Sequence, residues 1–229
     1  MNTDDIRKIL VDKYKRGEFR TIGNAIQQSK TVEIQNANFE VDKYWIVREP
    51  NFDYAQRELE WYMTKSLNVN DIPGGTPKMW LATADANGMI HSNYGWCIWS
   101  DENYNQYEHC LNKLVEDNHT REACMIYTRP SIQDEYNENG MHDFICTYSV
   151  QCFLNEDENN EKQLDYIVYM RSNDAVFGFD NDAIWHGFVQ HKLAQDLTDK
   201  LGETVKVGKM YWNAGSLHVY ERHFKYLEQ

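Results

Sequence analysis

Cysteine is sparse in this sequence and fits no recognisable framework. The 229 residues contain five cysteines, an odd number without a Cys-x-x-Cys pair. Disulfide scaffolds need paired cysteines, and structural zinc sites need closely spaced ligands. We therefore expect neither a disulfide framework nor a bound metal, and we expect a reducing, cytoplasmic location.

Positive charge and long apolar runs are also scarce. Asp and Glu outnumber Lys and Arg by 36 to 23, which gives a net charge of -13. Because nucleic-acid surfaces use clustered Lys and Arg to neutralise phosphates, we expect no direct nucleic-acid binding, although a few local arginines could bind a small anion. The N-terminus has no apolar signal core and no run is long enough to span a bilayer, so we expect no membrane contact.

The remaining pattern predicts one α+β domain over residues 1–229, because no internal repeat or long linker divides the chain. Helical spacing of apolar residues predicts helices over 4–16, 54–66 and 182–199, and another helix capped by Ser100 with an apolar stripe from Tyr104 to Val115. Residues rich in β-branched and aromatic side chains predict strands over 163–170, 204–212 and 217–224. The acidic stretch 155–162 is predicted to be a hairpin loop between two strands.

Cys146 is the first candidate for chemistry. It lies in the segment FICTYSVQ, and Arg171 follows in the segment MRSNDAVFGFDND. A guanidinium near a thiol stabilises the thiolate, which is the form that attacks electrophiles. A lone cysteine in an apolar strand also suits an ordinary buried position. The predicted return of Arg171 on the next strand favours Cys146 as a nucleophile.

Six segments carry a resemblance to a known family: EPNFDYAQRELEWY, SNYGWCIWS, MIYTRPS, CTYSVQ, MRSNDAVFGFDND and GSLHVYERHF. Their order and approximate spacing, over roughly residues 45 to 226, resemble the thymidylate synthase superfamily. Within it they are most similar to the deoxycytidylate 5-hydroxymethyltransferases of T-even bacteriophages. The resemblance implies a mixed β-sheet with flanking helices, and sheets that pack together across a homodimer.

The resemblance assigns catalytic roles to Cys146 and Glu58. Cys146 matches the nucleophile that adds to C6 of the pyrimidine, after which C5 captures the one-carbon unit of the cosubstrate 5,10-methylenetetrahydrofolate. Glu58, in the string ELEW, matches the carboxylate that organises water and assists loss of the C5 proton. By its local sequence alone, Glu58 is also an ordinary solvated glutamate on a helix.

Phosphate contacts are implied for three residues. Arg171 and Ser172 match the family's Arg-Ser pair, which suits the paired hydrogen bonds of a guanidinium with phosphate. Arg121 resembles a further phosphate ligand that the family donates across the dimer interface. The family usually has two consecutive arginines there, whereas this chain has Arg121-Glu122, so the contribution of the partner subunit is weakened or rearranged.

The resemblance also implies contacts with the sugar, the base and the folate. His218 and Tyr220 match the pair that contacts the sugar hydroxyl, although a purely structural strand pair is the alternative. Trp80 and Tyr94 resemble residues that line the folate and base pocket, and Asp174 resembles the carboxylate that hydrogen-bonds the pterin ring. Arg20 and Lys30 lie where the family's N-terminal phosphate loop would fall. The sequence does not choose between them, and the alternative for each is an ordinary surface cation.

Asp182 is expected to read the base. Thymidylate synthases have an asparagine at this position, whose amide donates to O4 of uracil and accepts from N3-H. A carboxyl group instead accepts from the N4 amino group of cytosine and satisfies N3 with one shared proton. The alternative is local, because an aspartate just before a helical segment is a favoured N-cap.

The expected product is 5-hydroxymethyl-dCMP. Thr147 stands where thymidylate synthases commonly have histidine, and Met170 stands where they commonly have glutamine, as in the hydroxymethyltransferase pattern. The sequence ends at Gln229 without the family's long C-terminal extension, which favours attack by water over hydride transfer.

We keep two alternatives, namely a thymidylate synthase-like methyltransferase and an inactive nucleotide-binding homologue. Discrimination between dCMP and CMP stays open. The resemblance further implies the cytosol of a phage-infected bacterium and a possible complex with other nucleotide-precursor enzymes.

Overall fold

The computed structural model describes residues 1–23 and 28–228. The strands are β1 (Arg20–Gly23), β2 (Gln28–Glu40), β3 (Cys124–Ile126), β4 (Thr147–Glu156), β5 (Lys162–Met170), β6 (Asn173–Asp174) and β7 (Val205–Tyr220). The α-helices are α1 (Thr3–Lys15), α2 (Phe52–Thr64), α3 (Lys78–Thr83), α4 (Tyr94–Trp99), α5 (Gln106–Glu116), α6 (Ile132–Glu135) and α7 (Phe179–Leu201). Short 3-10 helices cover Val69–Asp71, Glu138–Gly140 and Glu221–Tyr226.

The strands form one mixed sheet in the order β1-β2-β7-β5-β4-β3, and β6 pairs with β7 outside this path. The long strand β7 is parallel to β5 and β6 and antiparallel to β2, while β4 is antiparallel to both β3 and β5. Helices α1 and α7 pack against the sheet. The predicted α+β architecture with a mixed sheet and flanking helices is therefore confirmed.

Helix α7 connects the sheet to the other helices through aromatic contacts. The Phe179 ring lies 5.1 Å from the Trp212 ring on β7, and the Trp185 ring lies 5.1 Å from the Tyr62 ring on α2. At Gly95, a Cβ atom would lie 1.9 Å from the backbone oxygen of Tyr62, so this close crossing of α4 over α2 requires glycine. The buried apolar side chains form one continuous cluster around these contacts.

Several local predictions are confirmed and two are corrected. The opening helix, the helix over 54–66 and the hairpin between β4 and β5 are present within two residues of their predicted bounds. The strands predicted over 204–212 and 217–224 are one continuous strand, β7, which ends in a 3-10 helix. Ser100 does not begin a helix: it ends α4, and the next helix begins at Gln106 after a turn in which Tyr104 is exposed.

The reading of Asp182 as an N-cap is wrong. Helix α7 begins at Phe179, four residues earlier than that reading requires, and Gly178 occupies the cap position. The backbone N–H of Asp182 donates to the Gly178 carbonyl at 3.0 Å, so Asp182 already belongs to the helix. Its carboxyl group is consequently released from capping and is available to the interior of the site.

Two features are absent from the described residues. None of the helices there is long and apolar enough to cross a membrane. Within the same residues, no group of three or more His, Cys, Asp or Glu side chains is arranged to hold a metal ion.

Candidate active site

The β4–β5 hairpin brings Cys146 and Arg171 together. Cys146 immediately precedes β4 and Arg171 immediately follows β5, so antiparallel pairing places them side by side. The Arg171 backbone N–H donates to the Cys146 carbonyl at 2.9 Å, and Nη2 of Arg171 lies 3.6 Å from Sγ of Cys146. The predicted proximity of this guanidinium and thiol is confirmed, and the nucleophilic role of Cys146 stays a prediction.

Burial opposes the effect of Arg171 on the thiol. Burial raises the pKa of Cys146 to about 11, although the positive charge of Arg171 lowers it. A buried thiol resists ionisation because the thiolate loses its hydration. Cys146 is therefore a thiol at neutral pH in this structure, and Arg171 alone does not activate it.

The Arg171 side chain is fixed by the strand that carries Cys146. Its Nε donates to the Ile145 carbonyl at 3.2 Å, its Nη2 donates to the Phe144 carbonyl at 2.5 Å, and the guanidinium lies 4.9 Å from the Phe144 ring centre. Nη1 makes no hydrogen bond within the described part of the chain, so it is free to meet an anion. Ser172 follows directly and is partly buried.

Asp182 faces the same interior from α7. Its Oδ2 accepts a hydrogen bond from Nδ2 of Asn173 at 2.7 Å. The hydroxyl of Tyr94 also lies beside Asp182, and it accepts from Oγ1 of the buried Thr147 at 2.9 Å. Tyr94 is at the same time packed among core aromatic rings, including Tyr62. Tyr94 is therefore part of the core and also lies beside Asp182.

Glu58 reaches the site from α2 and is not a solvated glutamate. Only 6% of the residue is exposed. Its Oε1 accepts hydrogen bonds from the hydroxyl of Tyr54 and, at 2.8 Å, from Nε1 of Trp80. The Trp80 indole also donates to the Tyr54 hydroxyl at 3.1 Å. The three side chains form one hydrogen-bonded group that fixes the carboxylate.

The negative charge of Glu58 makes Asp182 harder to ionise. The pKa of Asp182 is raised well above its ordinary value, first by burial and then by the negative charge of Glu58, while the hydrogen bond from Asn173 lowers it. Burial likewise raises the pKa of Glu58. Two like charges in a low-dielectric site repel each other strongly, so burial and Glu58 both favour the protonated form of Asp182.

His218 and Tyr220 lie on the same side of β7, as their spacing predicts. Their ring centres are 4.7 Å apart, and Nδ1 of His218 lies 3.2 Å from Oγ of Ser216. Nε2 of His218 is buried and has no partner among the described residues. Burial lowers the pKa of His218, which keeps the ring neutral. A neutral imidazole with one free nitrogen suits a hydroxyl ligand.

Asp174 lies in β6 beside an aromatic surface. Its Oδ2 is 3.7 Å from Nδ1 of His223, whose ring centre lies 4.7 Å from that of Phe177. Burial raises the pKa of Asp174 to about 6. Phe177 is 37% exposed, and the guanidinium of Arg48 covers it at 4.1 Å. A titratable carboxyl group beside an exposed ring fits a flat heterocycle with N–H donors such as a pterin.

Arg121 is not part of this group of side chains. Cys124 on β3 is opposite Gln151 on β4, and Gln151 donates to the Arg121 carbonyl. Arg121 thus lies at least five strand residues from Cys146, roughly 17 Å, which exceeds the reach of its side chain. The neighbouring Glu122 pairs with Lys113 and leaves Arg121 exposed.

One contact distinguishes Arg20 from Lys30 as candidates for the N-terminal phosphate contact. Arg20 forms an ion pair with Glu33, and Glu33 is opposite His218 across the β2–β7 pair. The Lys30 ammonium instead lies over the Phe19 ring. Arg20 is therefore linked to the sugar side of the site, and its contact with phosphate stays a prediction.

Sequence reasoning missed Asn173 and Tyr54. Tyr54 is four residues before Glu58 on one helix, a spacing that places both on one face and could have indicated the contact. Asn173 lies inside the RSND string, but no periodic pattern connects it to Asp182, which approaches through the turn into α7.

The sequence is similar to one family of known proteins. The thymidylate synthase family model matches residues 3–229. The deoxycytidylate 5-hydroxymethyltransferases of enterobacteria phages T4 and T2 are each 50% identical over 198 residues, which cover 85% of this chain and 78% of the relative.

A solved structure supports the fold. Thermostable thymidylate synthase A from Bacillus subtilis matches with a TM-score of 0.69 at 20% identity, covering all of this chain and 83% of that one. At this identity the match concerns the fold alone, and it confirms the predicted thymidylate synthase-like architecture. With the family model matched over nearly the whole sequence, the chain belongs to the thymidylate synthase family.

Proposed function

We propose that this protein transfers the one-carbon unit of 5,10-methylenetetrahydrofolate to C5 of dCMP, with addition of water, to give 5-hydroxymethyl-dCMP and tetrahydrofolate. The observation that carries the proposal is the buried carboxyl group of Asp182, held by Asn173, in the same site as Cys146 and Arg171. The identity to phage deoxycytidylate 5-hydroxymethyltransferases supports the same reaction.

Asp182 provides recognition of cytosine. A neutral carboxyl group has one donor and one acceptor side by side, which match N3 and the N4 amino group of cytosine. Donation to N3 withdraws electron density from the ring and makes C6 more electrophilic. The raised pKa of Asp182 keeps that donor in place at neutral pH. Recognition and activation of the base are then one interaction.

Cys146 and Glu58 act on the two neighbouring ring carbons. Cys146 Sγ adds to C6 after its proton leaves to solvent, and the nearby Arg171 offsets part of the cost of forming the buried thiolate. Glu58, held by Tyr54 and Trp80, accepts the proton that leaves C5 through an ordered water. The elevated pKa of Glu58 suits a group that receives a proton.

Trp80, Asp174 and the exposed Phe177 are the residues that would hold the folate. When bound, 5,10-methylenetetrahydrofolate supplies the one-carbon unit at the oxidation level of formaldehyde. Asp174, with a pKa of about 6, accepts hydrogen bonds from ring N–H groups when ionised. Arg171 and Ser172 bind the phosphate, while His218 and Tyr220 contact the sugar.

The product distinguishes this proposal from its main alternative. Incubation with dCMP and the cosubstrate should give 5-hydroxymethyl-dCMP by mass spectrometry without dihydrofolate, which absorbs distinctly in the near ultraviolet. Methylated nucleotide with equimolar dihydrofolate would establish a methyltransferase instead, because only hydride transfer oxidises the folate. Binding of dCMP without either product would establish an inactive homologue. Parallel assays with CMP measure ribose discrimination.

We further propose a homodimer in which the sheets pack together. On the face of the sheet that alternates with the core positions, Ile167, Tyr169 and Tyr211 are only partly buried in one chain. The distance of Arg121 from its own Cys146 agrees with a phosphate contact in the partner subunit. Sedimentation should give about twice the chain mass of 27.2 kDa. The phage sources of the relatives favour the cytosol of an infected bacterium.

A further inference from the structure

The buried amide of Asn173 has a hydrogen-bond partner at its nitrogen but none at its oxygen among the described residues. Only 3% of the residue is exposed. Its Nδ2 donates to Oδ2 of Asp182 at 2.7 Å, whereas its Oδ1 is buried without a partner among the described residues. An unpartnered buried carbonyl is costly, and a leucine of similar shape would avoid that cost. Among the described residues, the hydrogen bond to Asp182 is therefore the one interaction that favours an amide side chain at Asn173.

A protonated carboxyl group alone does not distinguish cytosine from uracil. With the proton on the oxygen that faces N3, it donates to N3 and accepts from N4 of cytosine. With the proton on the other oxygen, it accepts from N3-H and donates to O4 of uracil. Moving one proton between the two oxygens of Asp182 would thus exchange the preferred base.

Asn173 removes this ambiguity through the direction of its hydrogen bond. Because Nδ2 is a donor, the oxygen that it contacts must act as an acceptor, and the proton is left on Oδ1 of Asp182. An acceptor oxygen has two lone pairs, so Oδ2 can also accept from the amino group of the base.

We propose that Asn173 is the positioning residue that sets cytosine specificity, by holding Oδ2 of Asp182 as an acceptor and leaving Oδ1 as the donor to N3. The inference rests on the proposed function, which requires Oδ2 to face position 4 of the base. It extends that function to a residue that touches Asp182 rather than the reacting atoms. Asn173 lies between Ser172 and Asp174, so it reaches Asp182 from the strand that also carries the phosphate and folate residues.

The other groups around Asp182 do not provide this direction. Glu58 and Tyr62 on α2, Asp180 on α7, Tyr94 on α4 and Cys146 are the titratable side chains coupled to it. The carboxylates and the thiol act on Asp182 through charge, so they do not determine which of its two oxygens carries the proton. Tyr94 contributes a hydroxyl, which can rotate between donor and acceptor roles, whereas an amide N–H cannot.

The test compares Asn173→Leu with Asn181→Leu in the full-length protein. Asn181 bears the same amide on the next helix and donates to the Phe177 carbonyl at 3.1 Å without contacting Asp182. For Asn173→Leu, the ratio of kcat/KM for dCMP to that for dUMP should fall roughly ten- to hundredfold, and the melting midpoint should stay within about 3 °C. Asn181→Leu should leave the ratio unchanged.

The pH profile gives a second readout that a structural role would not change. Loss of an N–H donor to the ionised carboxylate raises the pKa of Asp182 further, so the alkaline limb of kcat/KM for dCMP should move to higher pH in Asn173→Leu. An unchanged substrate ratio in the folded variant, or an equal loss for both nucleotides, would refute the role of Asn173.

Asn173→Asp keeps the inference testable if the leucine variant does not fold. The introduced carboxyl group donates to Asp182 only while it is protonated, so preference for dCMP should decline as pH rises. A wild-type-like, pH-independent preference would contradict the inference. These results are distinct from failure of the proposed function, which would appear as wild-type protein that forms no 5-hydroxymethyl-dCMP.

Discussion

The strand-borne and helix-borne halves of the site respond to burial in different ways. On the strands, burial opposes ionisation of Cys146 while the adjacent Arg171 favours it. On the helices, burial opposes ionisation of Asp182 and Glu58, and the negative charges of neighbouring carboxylates act in the same direction. The difference shows that the strand-borne half holds a positive charge that partly offsets burial, whereas the charged neighbours of Asp182 in the helix-borne half reinforce it.

This division matches the charges of the proposed nucleotide. A phosphate carries negative charge that a fixed guanidinium can neutralise, whereas cytosine is neutral and would require a buried carboxylate to be desolvated without compensation. A protonated Asp182 recognises the base without burying a net charge. Substitutions in each half should therefore produce different defects.

The largest effect is expected from removing the nucleophile. Cys146→Ala should lower turnover by about 10⁴-fold or more, because no other group in the site can add to C6. Affinity for dCMP, measured by calorimetric titration, should change little. Cys124→Ala provides the control, since Cys124 is an exposed thiol on β3 and its removal should preserve activity. Normal turnover in Cys146→Ala would show that the nucleophile is misassigned.

The second effect concerns the helix-borne half. Asp182→Asn should reduce kcat/KM for dCMP by about 10³-fold and shift preference toward dUMP, because an amide presents the wrong donor to cytosine. Asp180→Asn removes an acid two residues earlier that pairs with Arg48, and it should retain the preference for dCMP. Steady-state kinetics with dCMP and dUMP measure this preference in both variants. A preference for cytosine that survives in Asp182→Asn would contradict the account of base reading.

The third effect is the pH dependence of the free energy of unfolding that Asp174 causes. Burial raises the pKa of Asp174 from 3.8 to about 6, so the ionised form is disfavoured in the folded protein. Stability is lost as pH rises from about 4 through 6, and the full difference corresponds to about 3 kcal/mol. Asp174→Asn should therefore be more stable than wild type at pH 7.5 by up to that amount, with no difference below pH 4, as measured by urea unfolding.

Asp157 provides a control of opposite sign for this measurement. Backbone N–H donors from Glu161 and Asn159 lower the pKa of Asp157. Its contribution to stability is present above its unfolded pKa and is lost as pH falls. Asp157→Asn should consequently be less stable than wild type at neutral pH. The same sign for both variants would indicate that the substitutions act through packing rather than ionisation.

The smallest effect is expected at the hydroxyl of Tyr54. Tyr54→Phe removes one of two donors to Glu58 while Trp80 keeps the other, so kcat should fall about tenfold with little change in KM for dCMP. Tyr104→Phe changes an exposed ring and should have no effect. A larger increase in KM than decrease in kcat would place Tyr54 in binding rather than in the support of Glu58.

The sequence predicted elements whose signals are local. The apolar spacing of Ile6 and Leu10 predicted α1, and both side chains are fully buried. The two predicted strands are one strand, β7, which continues through Gly215. Glycine weakens strand propensity, but it is required here because a Cβ atom would lie 2.9 Å from the Arg171 carbonyl oxygen. A glycine needed for tertiary contact was thus indistinguishable from one that ends a strand.

The site was predictable to the extent that its residues stand in recognisable strings. Cys146, Arg171 and Asp182 could be selected because the family resemblance covers them, and the structure brings Arg171 to the thiol and Asp182 to Glu58. The proton on Asp182 could not be predicted, because it depends on burial and on a carboxylate more than one hundred residues away in the sequence. Such couplings arise only when the chain is folded.

The two carbonyl contacts of Arg171 have a thermodynamic consequence for ligand binding. Its side chain is already ordered by Ile145 and Phe144 before any phosphate arrives. An arginine that is free in solution loses rotamer freedom when it binds, at a cost of about 0.5–1.5 kcal/mol, and this arginine has little such freedom left to lose. Nucleotide binding should accordingly show a small entropic penalty at the phosphate. Truncating the Phe144 ring, which lies 4.9 Å from the guanidinium, should increase that penalty without removing any group that touches the ligand.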